Sequence, residues 1–101
     1  MADKRITLRL LTPAGVTAEV ACDSVQLTLR DDAEGKKGGL VGIRPDHTSA
    51  VMALGKGPIL ATLEGKPVFR GSAAGGFASV ERNVVTVITD SAAEEPRDRD
   101  G

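Results

Sequence analysis

Turn residues recur along this chain roughly every 8 to 12 residues, with short alternating apolar runs between them, and that spacing is the signature of an all-β sandwich or barrel. Ile6, Leu8 and Leu10 alternate with Thr7 and Arg9, so the first strand has one core face and one wet face. Thr12-Pro13-Ala14-Gly15 supplies a turn, and Val16 to Ala21 reads as the returning arm of a hairpin. A third strand carries Val25, Leu27 and Leu29. It stops at Asp31, where nine residues to Gly39 hold three acids, two lysines and three glycines and read as an exposed, mobile loop. Further on, Gly55-Lys56-Gly57-Pro58 predicts a turn, Ile59 to Leu63 a short strand, and Glu64-Gly65-Lys66-Pro67 another turn. Val68 to Arg70 and Ala73 to Val80 continue the pattern, with Gly75-Gly76 marking a bulge or a close backbone approach. Glu81-Arg82-Asn83 makes the next tight connection. Val84 to Thr89 is apolar on both faces, which predicts a central strand covered on both sides.

At 101 residues the chain is one domain, and a domain of this size removes only about 60 to 65% of its unfolded surface from water. Two phenylalanines, with no tyrosine or tryptophan, make the core thinner still, so part of the stability is expected to come from partner contacts. Thirteen basic against fourteen acidic residues provide no field for nucleic acid or anionic lipid, and the stacking platforms of single-strand binders are missing. No apolar run approaches the ~20 residues of a membrane-spanning helix, so direct membrane insertion is not expected. The single cysteine, Cys22, and an amino terminus without the apolar core of a signal peptide point to a reducing compartment. From Ala92 to Gly101 seven of ten residues are charged or proline, which predicts a β domain over 1–91 and a disordered tail over 92–101.

The stretch from Gly42 to Leu54 holds the only histidine and opens on a stiff bend, because Pro45 fixes its own φ and pushes Arg44 into extended geometry. Beyond the bend the periodicity is ambiguous. Asp46 could cap a short helix carrying Ala50, Val51 and Leu54 on one face, or the chain could run extended.

Each candidate chemical site in the sequence has a stronger structural explanation. Asp46, His47 and Ser49 supply the residue types of a hydrolytic triad, but such triads are assembled from distant segments, and neighbours on one extended segment point apart. One histidine and one distant cysteine do not make a metal site. Neither Gly55-Lys56 nor Gly75-Gly76 is followed by a helix start, so turns and bulges explain them better than phosphate loops do. Lys36-Lys37 reads as solvated. No catalytic residue, metal, cofactor or small-molecule substrate is therefore expected, and Cys22 reads as a small buried filler.

Gly42-Ile43-x-Pro45-x-His47, followed by Gly75-Gly76-Phe77-x-x-Val80-x-x-Asn83-x-Val85-Thr86-Val87-x-Thr89-Asp90-x-Ala92, resembles the amino-terminal domain of the epsilon subunit of rotary ATP synthases. In that family the bend reads Gly-x-x-Pro-Gly-His-Ala-Pro; Asp46, Thr48 and Ser49 depart from it here. The resemblance covers residues 5 to about 92.

The resemblance implies a ten-stranded sandwich of two antiparallel sheets and resolves the ambiguous run as extended. It implies a non-catalytic central-stalk rotor subunit that joins the gamma subunit to the membrane c ring during ion-driven ATP synthesis, peripheral on the cytoplasmic face of the bacterial inner membrane. Family members commonly continue into a regulatory pair of helices; the largest departure here is that only eleven residues follow Asp90, interrupted by Pro96, so that hairpin is not expected. The interface is expected at Gly39, Leu40, Val41, Gly42, Ile43, Arg44, Pro45, Asp46 and His47, with Leu40 as the apolar ring contact. A stand-alone β-sandwich adaptor is the alternative.

Overall fold

The structure is a computed structural model and describes residues 4–31 and 38–94. These form eight strands: β1 Ile6–Thr12, β2 Gly15–Cys22, β3 Ser24–Thr28, β4 Leu40–Ile43, β5 Ala50–Leu63, β6 Lys66–Glu81, β7 Val84–Ile88 and β8 Ala92–Glu94. The all-β expectation holds, and the run after the bend is strand rather than helix. Loop residues 32–37 lie outside the described residues, as do tail residues 95–101.

Hydrogen bonding connects the strands in the order β2-β1-β7-β6-β5-β3-β4, with β8 also on β6. The two long strands make this a sandwich. The 50–54 half of β5 and the 76–81 half of β6 join β7, β1 and β2, whereas the 59–63 half of β5 and the 66–73 half of β6 join β3, β4 and β8. Each layer thus has five strands, and the eight chain segments supply the ten positions of the expected sandwich.

One predicted turn is a kink inside a continuous strand, and the predicted glycine bulge is another. Gly55-Lys56-Gly57-Pro58 does not end β5, which stays paired to β6 through Lys56↔Ala74, Gly57↔Ala73 and Pro58↔Ser72. On β6, Gly75 and Gly76 have φ of +99° and +116°. A Cβ on Gly76 would collide with the Ile88 carbonyl oxygen, so the expected close approach is between the backbones of β6 and β7. Glycine and proline read the same in a turn as in a sharp bend; the partner strand on the far side keeps the ladder intact.

Three further differences follow from long-range pairing. β1 and β7 run parallel, Leu8↔Val85 and Leu10↔Val87, so one pair departs from the expected antiparallel arrangement; strands this far apart in the chain are not tied by a hairpin. β7 is central, as expected, but covered on one face only: Val85 and Val87 are buried while Ile88 is half exposed. Ala92–Glu94, expected to belong to the tail, adds a strand to β6 by backbone pairing, which needs no large side chain.

The core follows the alternation read from the sequence. Ile6, Leu8 and Leu10 of β1 meet Val25 and Leu27 of β3, Ile43 of β4, Val85 and Val87 of β7, and Phe69 of β6. Each large aliphatic side chain buried there contributes roughly 1.5–3 kcal/mol. Cys22 belongs to this core as the filler expected; its Sγ lies 3.7 Å from the Ile6 carbonyl oxygen, and burial pushes the thiol above its ordinary pKa.

Candidate interface surfaces

The bend is a type II turn built from Arg44, Pro45, Asp46 and His47. The His47 amide donates to the Arg44 carbonyl at 3.2 Å, Pro45 takes the second position, and Asp46 has φ +66° in the third, where a type II turn demands a positive value and favours glycine. This accounts for the Pro-Gly pair in the family pattern, and Asp46 occupies the glycine position here.

Asp46 is held in that conformation from two sides. Its amide donates to Asn83 Oδ1 at 2.6 Å, and its carboxylate accepts from Lys4 Nζ at 2.5 Å. The Lys4 hydrogen bond, and then the Lys4 charge, hold the Asp46 carboxyl below its usual pKa. Asn83 has φ +64° and follows Arg82, φ +51°, in a two-residue turn between the paired Glu81 and Val84, the geometry of a type I′ hairpin. Its own carbonyl accepts from the Thr7 amide at 2.9 Å. One residue thereby ties the bend, the β6–β7 hairpin and β1 together.

His47 is partly buried, and its Nδ1 donates to the Thr48 carbonyl at 2.7 Å, which leaves Nε2 as the other polar atom of the ring. Neither the Asp46 nor the Ser49 side chain is hydrogen-bonded to that ring, so the geometry forms no triad. Of the nine expected interface residues, Ile43 is fully buried in the core, and Val41 packs against it from the edge. Those two anchor β4. Gly39, Leu40, Gly42, Arg44 and Asp46 are exposed, Pro45 and His47 partly so, and Leu40 at 58% is the most prominent apolar group among them. The exposed side of the expected site is therefore the β4 edge plus the turn.

A second surface was not legible in the sequence. The registers Ala53↔Phe77, Phe77↔Ile88, Leu11↔Ile88 and Leu11↔Val16 line up one apolar residue from each of five neighbouring strands on the outer face of the β2-β1-β7-β6-β5 layer. Val16, Phe77 and Ile88 are each more than half exposed, and Val51 beside the row is exposed to 75%. At the usual strand spacing the row is about 19 Å long. The adjoining row starts at Val51 and is otherwise polar: Ser79, Thr86, Arg9 and Glu19, with Arg9 Nε and Glu19 Oε2 at 3.2 Å in an ion pair that lacks hydrogen-bond alignment. Isolated exposed apolar residues are ordinary, but a contiguous row of them marks a contact surface. Among the described residues no group of three or more His, Cys, Asp or Glu side chains is placed to hold a metal ion.

The architecture is that of a small two-layer β-sandwich domain with one apolar outer row and one pinned edge turn. The family is given by its sequence model: residues 5–95 match the ATP synthase delta/epsilon chain, beta-sandwich domain, and the chain belongs to that family. Two solved structures share the fold. A chain of the Euglena gracilis mitochondrial ATP synthase, from a structure of OSCP, F1 and c ring, superposes with a TM-score of 0.75 at 22% identity over 93% of this chain. A chain from the central stalk and c ring of the Tetrahymena thermophila mitochondrial ATP synthase gives a TM-score of 0.66 at 12% identity over 91%. The present chain spans 56% of the length of the first and 68% of the second.

Proposed function

We propose that this domain is a non-catalytic rotor subunit in the central stalk of an F-type ATP synthase, holding the gamma subunit on one surface and the c ring on another. The observation that carries the reading is the pair of separate surfaces on one rigid body. The apolar row across five strands suits a broad, lasting contact, which we assign to gamma. The β4 edge with the Arg44–His47 turn, small and mixed in polarity, we assign to the ring. The family membership supports the rotor reading, as do the assemblies that contain the two structural neighbours, one of OSCP, F1 and c ring and the other of central stalk and c ring.

In this role the protein transmits torque and does no bond chemistry. That requires resistance to shear, which the strands β5 and β6 supply by running unbroken through both layers. The location that follows is peripheral, at the membrane carrying the synthase. Both neighbours are mitochondrial and lend no support to the bacterial inner membrane expected from the sequence.

The test measures binding to isolated gamma subunit and to isolated c ring separately. Phe77→Asp is expected to weaken gamma binding and spare the ring; Leu40→Asp is expected to loosen the ring and uncouple hydrolysis from transport while sparing gamma and the fold. Both bindings unchanged in both variants would overturn the reading.

A further inference from the structure

We propose that Asn83 is the positioning residue of the ring-side turn: its side-chain oxygen, accepting the Asp46 amide, sets the turn that presents Arg44 and His47. This inference rests on the rotor reading above. In a type II turn the amide of the third residue takes no part in the turn's own hydrogen bond, here His47 amide to Arg44 carbonyl, and needs an outside acceptor. Asn83 Oδ1 supplies it at 2.6 Å across 37 residues of sequence. The only other tether on Asp46 among the described residues is the exposed Lys4 pair, which is screened by salt and leaves the backbone amide untouched.

The hairpin turn does not itself require this side chain. At the second central position of a type I′ turn glycine is preferred over asparagine, because φ there is positive. Glycine at 83 would keep the hairpin and the Asn83 carbonyl's partner, Thr7, and would remove only the acceptor for Asp46. Asn83 sits on the same hairpin as Phe77 and Ile88, four residues from Glu81 and Val84 respectively, so the bond also fixes the turn relative to the apolar row.

The variants are Asn83→Gly, which removes the acceptor, and Asn83→Asp, which keeps an oxygen at the same place and tolerates the positive φ. Amide hydrogen exchange by NMR reads the turn, with Val85 and Val87 amides reporting the fold; affinity for purified c ring reads the consequence. In Asn83→Gly the Asp46 amide should exchange about tenfold faster, the change that losing one such hydrogen bond produces, with Val85 and Val87 unchanged and ring affinity down by a similar factor. Asn83→Asp should restore both. Unchanged Asp46 exchange in Asn83→Gly, or faster exchange with unchanged ring affinity, would overturn the inference. An Arg44→Ala/His47→Ala double variant separates the two levels. If it binds the ring normally, the ring-side reading falls and takes the inference with it; if it loses the ring while Asn83→Gly binds normally, only the inference falls.

Discussion

Replacing Gly76 by alanine tests whether the kink in β6 is what lets the two layers share a strand. Gly76 has φ +116°, and a Cβ there would collide with the Ile88 carbonyl oxygen and lie 3.0 Å from Thr89 Cα, both backbone atoms of the neighbouring segment. A positive φ costs an alanine about 1–2 kcal/mol. Forcing β7 aside adds an overpacking cost of about 1–3 kcal/mol, and the displacement has no flexible side chain to absorb it. The total is about 2–5 kcal/mol, a large share of what a domain of this size has. Gly65 is the control. It has φ +82° in the β5–β6 turn and nothing within 4 Å of the Cβ position, so Gly65→Ala carries the conformational cost alone. Urea denaturation of the two variants should place Gly76→Ala below Gly65→Ala by about 1–3 kcal/mol, which for a domain of this length separates the melting temperatures by at least about 4 °C. Equal stability of the two variants would refute the argument that backbone approach at residue 76, rather than glycine flexibility in general, shapes the kink.

Two shorter predictions concern the turn. Asp46→Gly relieves the positive φ but enlarges the unfolded ensemble and loses the Lys4 pair, so the opposing effects should leave the melting temperature within about 4 °C of the parent. Asp46→Ala keeps the Cβ and loses the pair, and calorimetry should find it the less stable; an alanine variant as stable as the parent would count against strain at this position. Because Lys4 lowers the Asp46 pKa, the pair adds stability above the ordinary carboxylate pKa near 3.8 and loses it as pH falls through the lowered value. Lys4→Met should therefore melt below the parent at pH 6 in low salt, with the difference shrinking as pH falls and the Asp46 carboxyl takes up its proton, and a difference that does not change with pH would show that Lys4 acts through something other than this pair.

The strand identity and buried face of β1 and β3 were determined by the sequence itself. Alternation at Ile6, Leu8 and Leu10 or at Val25 and Leu27 is a local property, and each of those residues is buried. The family, too, was carried by motif residues that can be read in order along the chain, from Gly42 to His47 and from Gly75 to Ala92. Asp46 at a glycine position was visible there as a departure, but what holds it was not, because Lys4 and Asn83 lie 42 and 37 residues away.

Tertiary structure alone decided what happens perpendicular to the strands. The apolar row takes one residue from each of five strands and spans the chain from Leu11 to Ile88; the β1–β2 hairpin brings Leu11 beside Val16, but only the parallel β1–β7 pair and the registers of the β5–β6 and β6–β7 ladders add Ile88, Phe77 and Ala53 to it. Whether Gly55-Lys56-Gly57-Pro58 ends a strand or bends it was decided in the same way, since the local chain has the same freedom in both cases and the partner segment 72–74 keeps the ladder running. Ala92–Glu94 became a strand for the same reason: a sheet edge offers backbone donors and acceptors to any segment that reaches it, whatever its side chains. Side-chain periodicity is a property of the chain and can be read from it; register and edge pairing are agreements between distant segments and exist only once the sheet has formed.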